Sequence, residues 1–107
     1  MRTRLELHEV LENVLSNFVP SVAKRVWFQS PGKEKLVYPC ILYTRSGEWS
    51  RRADDIKYFG KKEYTITIID KDPDSQIPDA VGELQYCVFD HFHCEDNLNH
   101  WVYSIYF

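Results

Sequence analysis

The segment Glu63-Tyr64-Thr65-Ile66-Thr67-Ile68-Ile69 alternates, with Tyr64, Ile66 and Ile68 on one side and Glu63, Thr65 and Thr67 on the other. A period of two in β-branched and aromatic residues marks a strand that buries one face against a core. Such a strand needs neighbours on either side, and the chain supplies them. Upstream, residues 26–29 form a short β-prone run ended by the breaker Ser30-Pro31-Gly32. Residues 39–44 are apolar on both faces, and Pro39, which cannot donate to a ladder, fits only the first position of that strand or an edge. Downstream, residues 87–93 and 101–107 make two more strands. The last one sets Trp101, Tyr103, Ile105 and Phe107 against His100, Val102, Ser104 and Tyr106.

Two helices are predicted to cover this sheet. Leu7, Val10, Leu11, Val14, Leu15 and Phe18 fall on one stripe of a 3.6-residue repeat, and Pro20 stops that helix near Asn17 or Phe18. Between the third and fourth strands, Asp74 and Ser75 offer caps, Pro78 suits a first turn, and Ile77, Val81 and Leu84 share a face. That spacing predicts a second helix of two to three turns, weakened at Gly82 by about 1 kcal/mol relative to alanine. The expected fold is α+β: an N-terminal amphipathic helix and a second short helix packed on a mainly antiparallel sheet of about five strands.

With 107 residues the chain has room for a single domain, residues 1–107, interrupted by a long charged and aromatic loop over residues 45–62. A hydrophobic share of 44% with 15% aromatics excludes a disordered chain. The formal net charge of −3 gives no whole-domain basic footprint for nucleic acid. No apolar run approaches the ~18–20 residues of a membrane span, and the charged start Met1-Arg2-Thr3-Arg4 leads into an amphipathic stretch rather than a secretory core. No membrane partner is expected. Cys40, Cys87 and Cys94 are an odd number, so free thiols in a reducing cytoplasm are expected.

No catalytic set emerges. Asp70, Asp72 and Asp74 alternate as a calcium loop begins, but that motif needs Gly at position six and Glu at position twelve, where Ser75 and Val81 stand. They read as a strand end and a helix cap. His91, His93, Cys94 and His100 are the candidate metal ligands, with His91 and His93 on one face of a strand and Cys94 on the other. Structural zinc sites usually declare themselves by closely paired cysteines, absent here, so these side chains read as solvated hairpin residues and no metal or cofactor is expected. A Cys–His nucleophile pair lacks an orienting third group. Four glycines in the whole chain make no phosphate cradle, and the basic residues Arg45, Arg51 and Arg52 stand beside Asp54 and Asp55.

Several strings together resemble a family of small structural proteins of tailed bacteriophages, the tail completion or tail terminator proteins. These are Tyr38-Pro39-Cys40-Ile41-Leu42-Tyr43, then residues 62–75 from Lys62-Glu63-Tyr64 to Pro73-Asp74-Ser75, then Phe89-Asp90, Asp96-Asn97-Leu98-Asn99-His100 and the ending Ile105-Tyr106-Phe107. The hairpin departs from that pattern, which is usually poor in histidine, by carrying His91-Phe92-His93-Cys94. The resemblance implies a non-enzymatic virion protein of the tail or neck, made in the bacterial cytoplasm. It would form a homo-oligomeric ring that caps the tail tube protein and meets the head-tail connector protein. DNA would pass only through the lumen. A head-completion or connector adaptor of the neck is the alternative, and a small zinc-dependent hydrolase using the His/Cys hairpin a more distant one.

Composition gives the ring expectation separate support. Aromatics on both faces of the C-terminal strands, Trp101, Tyr103 and Phe107 against Tyr106 with Phe89 and Phe92 nearby, predict apolar surface that two helices on one face leave uncovered. The expected assembly contacts are Trp49, Arg51, Arg52, Tyr58 and Phe59 in the long loop, with Trp101 and Tyr103 on the sheet.

Overall fold

The computed structural model describes residues 3–29, 31–32, 35–48 and 62–107. Its elements run α1 (Arg4–Ser16), β1 (Val26–Phe28), β2 (Cys40–Glu48), β3 (Lys62–Asp70), α2 (Ile77–Gly82), β4 (Cys87–Glu95) and β5 (Leu98–Tyr106). The five strands form one sheet in the order β1-β2-β3-β5-β4, antiparallel except for the parallel pair β1-β2. This is the expected α+β architecture, two helices on a mostly antiparallel sheet.

Alternation along β3 decides which face the helices take. Tyr64, Ile66 and Ile68 are buried, and their partners across the ladders are Ile41 and Tyr43 on β2 and Trp101, Tyr103 and Ile105 on β5. Leu7, Leu11 and Leu15 of α1, all fully buried, pack onto that surface with Ile77 and Val81 of α2. Residues at i, i+4 and i+8 form one stripe, so a 13-residue helix commits three leucines to the core. Thr3 closes its N-terminus by a capping box: its hydroxyl accepts from Glu6 N at 3.2 Å, and its own N–H donates to Glu6 Oε1 at 2.9 Å. Thr3→Ala removes the hydroxyl half of that exchange and is expected to cost about 1 kcal/mol, read as a lower urea midpoint at unchanged slope.

Tyr43 ties α1 to β2. Its ring is fully buried, while its hydroxyl accepts from Arg4 Nη1 at 3.1 Å and lies 2.7 Å from His8 Nδ1. A polar tip with two partners lets a phenol sit in an apolar interior without an unsatisfied oxygen.

The second helix is shorter than its pattern predicts, six residues rather than two to three turns. Neither Asp74 nor Ser75 is its N-cap; that position is Gln76, while Ser75 Oγ accepts from Ile77 N at 3.3 Å just outside. Gly82 has a packing reason for its missing side chain, since a Cβ there would stand 3.2 Å from Cε2 of Tyr103. Of the expected loop over residues 45–62, residues 49–61 lie outside the described residues, and both ends are strand. Arg45 to Glu48 continue β2, past a register shift between Arg45 and Gly47, and Lys62 opens β3.

A parallel pair cannot be joined by a hairpin, so the chain between β1 and β2 must cross a face of the sheet. It crosses the face opposite the helices, where Leu36 and Tyr38 line a cavity of about 310 Å³ with Leu42, Thr67, Ile69, Leu98 and His100. That face is therefore not the aromatic surface expected from composition. Thr44, Thr65, Thr67, Ser104 and His100 dominate it, with Cys40, Ile69 and Val102 buried among them. Tyr103 and Phe107 belong to the core instead. Among the described residues no helix is long and apolar enough to cross a membrane.

Candidate functional site

The chemistry of this fold gathers on the β4–β5 hairpin. Asp96 and Asn97, at φ 56° and 62°, form the two-residue turn that joins the strands and sets Glu95 opposite Leu98. Asx side chains tolerate that left-handed geometry, and two successive positive φ values match the twist of the flanking strands. The same register places His93 directly opposite His100. Even-numbered residues of β5 point away from the helices, so His93, His100, Glu95 and Leu98 all face the open side.

A bulge between Phe89 and His91 rephases β4. Below it, Phe89 faces Tyr103 on the helix side; above it, His91 faces Val102 on the open side, although the two residues are only two apart. An extra residue in one strand re-aims everything beyond it. Three imidazoles thereby stack along the open face. The rings of His91 and His93 lie 5.3 Å apart, and those of His93 and His100 lie 4.6 Å apart at 17°.

Among the described residues, His93, Glu95 and His100 form a group whose candidate ligand atoms all lie within 4.8 Å of one another. Nε2 of His93 is 3.8 Å from Glu95 Oε1. His100 Nδ1 is 3.1 Å from the carbonyl oxygen of Leu98. A carbonyl only accepts, so Nδ1 carries the hydrogen of this contact, and Nε2 is the ring nitrogen left for another partner. Of the sequence candidates, His93 and His100 are thus brought together and His91 flanks them, with its Nδ1 3.4 Å from Asp90 Oδ2. Cys94 pairs with Asn99 on the other face and is exposed there. Glu95, which completes the group, was not singled out in the sequence; it shares a face with His93 by the period of two, and that was the available signal.

Asp70, Asp72 and Asp74 stand at the exit of β3. Asp70 Oδ1 accepts from Asp72 N at 3.1 Å and Asp72 Oδ1 from Asp74 N at 2.9 Å, two consecutive Asx turns that lead the chain out of β3.

The assembly residues are placed unevenly. Trp49, Arg51, Arg52, Tyr58 and Phe59 lie outside the described residues. Trp101 is half-buried beside the core, and Tyr103, at 6% exposure, lies within it rather than on a free surface. The exposed apolar surface of the sheet is on the edge strand instead: Val88, Phe89 and Phe92 are 57%, 52% and 47% exposed. Phe89 meets Tyr103 edge-on at 5.4 Å, and Phe92 meets Trp101 at 5.4 Å, so both rings are anchored on one side and bare on the other.

Burial also governs the thiols. Cys40 has its thiol pushed up to about 12 by burial, with the nearby Arg25 guanidinium offsetting part of the rise. Burial alone takes Cys87 to about 11. Neither is a nucleophile at neutral pH, because the thiolate is the reactive form. Compared with known proteins, the chain matches no family model, no curated protein and no solved structure.

Proposed function

We propose that the chain is a structural subunit of a tailed-phage virion, a tail terminator or tail completion protein. Copies of it would form a ring at the head-proximal end of the tail tube and join it to the head. The observation that supports assembly is β4. It is nine residues long, it stands at the end of the strand order, and it carries Val88, Phe89 and Phe92 half-bare. A long edge strand with bare aromatic and aliphatic side chains among its charged ones offers surface for association. The opposite edge, β1, has only three residues. A head-to-tail contact between unlike surfaces repeats around an axis and makes a ring where the rotation closes. The resemblance of the strings around Tyr38-Pro39-Cys40, Lys71-Asp72-Pro73-Asp74 and Asp96-Asn97-Leu98-Asn99 supports placing such a ring in the phage tail.

In this reading the protein carries out no reaction. One ring face meets the last layer of tail tube protein and stops its growth, and the other receives the head-tail connector protein. The net charge of −3 per subunit disfavours adhesion of the DNA that traverses the lumen. The chain is made in the host cytoplasm and ends in the virion.

Purified protein mixed with purified tail tubes, and separately with empty heads, tests the assignment. Capping of one tube end, with arrest of tube elongation, is the expected result. Binding to heads alone replaces it by a connector adaptor of the same neck. Since an assembly's stability depends on protomer concentration, the melting temperature of the ring should fall on dilution; a melt independent of concentration, with a monomeric mass even beside tubes, overturns the ring.

A further inference from the structure

We infer that His93, Glu95 and His100 form a binding site for one divalent transition-metal ion, with zinc as the best-matched species. The inference goes beyond the ring and rests on the hairpin alone. Three observations carry it. The two-residue turn holds His93 and His100 in direct cross-strand register, so their spacing is fixed by the backbone rather than by chance side-chain approach. Their candidate ligand atoms and those of Glu95 fall within 4.8 Å of one another. Donors sharing one tetrahedral zinc stand about 3.4 Å apart, given bonds of roughly 2.0–2.1 Å. The 17° stack keeps the in-plane lone pairs of His93 and His100 from converging, so ligation requires the His93 ring to turn out of the stack. His93 and Glu95, 43% and 55% exposed, have room for that turn.

The third observation is the orientation of His100. Its Nδ1–H donates to the Leu98 carbonyl, which leaves Nε2 as the ring nitrogen available to a metal ion. A metal-ligating histidine characteristically has its other ring nitrogen held by a carbonyl or carboxylate in this way. Here the holder is the backbone of the same strand, in place before any ion arrives. Two imidazoles and a carboxylate are a borderline donor set that suits zinc and its neighbours and disfavours calcium or magnesium, which prefer all-oxygen shells.

Three protein ligands leave a coordination position for water. Glu95 and His100 also line the open-face cavity with Leu36, Tyr38 and Leu98, so the ion would sit at the rim of an apolar recess. By bridging β4 to β5 it would brace the outermost strand, the one that bears the bare phenylalanines. Cys94 takes no part, because it faces the helix side of the sheet.

The test uses the full chain without a histidine tag, stripped with chelator and titrated with Zn²⁺ and with Co²⁺. One ion per chain should bind saturably, Zn²⁺ should raise the melting temperature, and the Co²⁺ spectrum should lack a thiolate charge-transfer band. His93→Gln and His100→Gln should each weaken binding by at least about tenfold, the lower bound even for outer-sphere partners, and should abolish the Zn²⁺-dependent rise in melting temperature. Cys94→Ser should bind as wild type. Circular dichroism of the metal-free variants confirms that the fold survives, as expected for side chains on an exposed hairpin. Absence of saturable binding to the wild-type chain overturns the site, as does binding that survives both histidine changes or is lost in Cys94→Ser.

Discussion

In the proposed ring, glutamate at both Phe89 and Phe92 is expected to abolish assembly while leaving a folded monomer. Each ring is anchored by one aromatic neighbour, Tyr103 or Trp101, and roughly half of its surface faces outward. Full burial of such a side chain is worth about 1.5–3 kcal/mol, so the half buried within the monomer accounts for about 1 kcal/mol at each site. The outward half contributes only when a neighbouring copy covers it. At the centre of an interface, truncating an aromatic anchor costs about 2–4 kcal/mol, and placing a carboxylate there adds a desolvation cost. Each 1.4 kcal/mol is tenfold in affinity, so every subunit contact in the ring weakens by a factor of about 30 or more. The bulge at Asp90 interrupts the outer ladder, so the contact depends on these side chains more than on added strand hydrogen bonds. Sedimentation of the purified variant, alone and beside tail tubes, reads the outcome. Leu5→Glu, on the outer face of α1 at 62% exposure, places a carboxylate at another bare apolar residue and should leave assembly intact. Rings that persist in the double variant would remove β4 from the interface.

What the sequence made legible follows from how local each signal is. The alternation in Glu63–Ile69 and the leucine stripe at 7, 11 and 15 are periodicities internal to one element, and both map directly onto buried faces. The Asp96-Asn97 turn is likewise local, and with it the opposition of His93 and His100. The bulge is not. Phe89-Asp90-His91 contains no glycine and reads as uninterrupted alternation, yet the core selects Phe89 for the Tyr103 side and the ladder absorbs Asp90 as an extra residue. Composition alone therefore assigned the aromatic surplus to a sheet face, whereas the bulge and the edge position of β4 put it at the margin. The parallel pairing of β1 with β2 was equally hidden, because three residues of Val26-Trp27-Phe28 carry no information about direction. That pairing sends Leu36 and Tyr38 across the open face and creates the cavity beside Glu95 and His100. Gly82 reads as a weakness of a helix because propensity is local; the close approach it allows is to Tyr103, twenty-one residues away.

Alkaline conditions are expected to unfold the protein through Cys40. The thiol is fully buried at the start of β2, opposite Ile69, and burial raises it from an ordinary value of 9.0 to about 12. A raised value means the folded chain holds its proton where the unfolded chain has released it. Below about pH 9 both states are protonated and the group leaves stability unchanged with pH. Above it the unfolded state binds fewer protons, so stability falls as pH rises, and the loss is complete only near the folded value. The Cys40 contribution to the loss is about 1 kcal/mol at pH 10 and about 3 kcal/mol at pH 11, against the roughly 5–15 kcal/mol of a typical domain. Cys87 acts with the same sign between 9.0 and about 11, by less, because it is partly open to solvent that screens the charge. Tyr43 and Tyr103, both raised chiefly by burial, extend the decline at still higher pH. The comparison that isolates Cys40 is therefore a difference, urea midpoints of wild type and Cys40→Ala from about pH 8 to about pH 11. The variant starts lower by the small cavity it leaves, and its curve should descend less steeply, so the two converge or cross as pH rises. Parallel curves would mean that the Cys40 thiol ionises as readily folded as unfolded, and that the start of β2 is open to water.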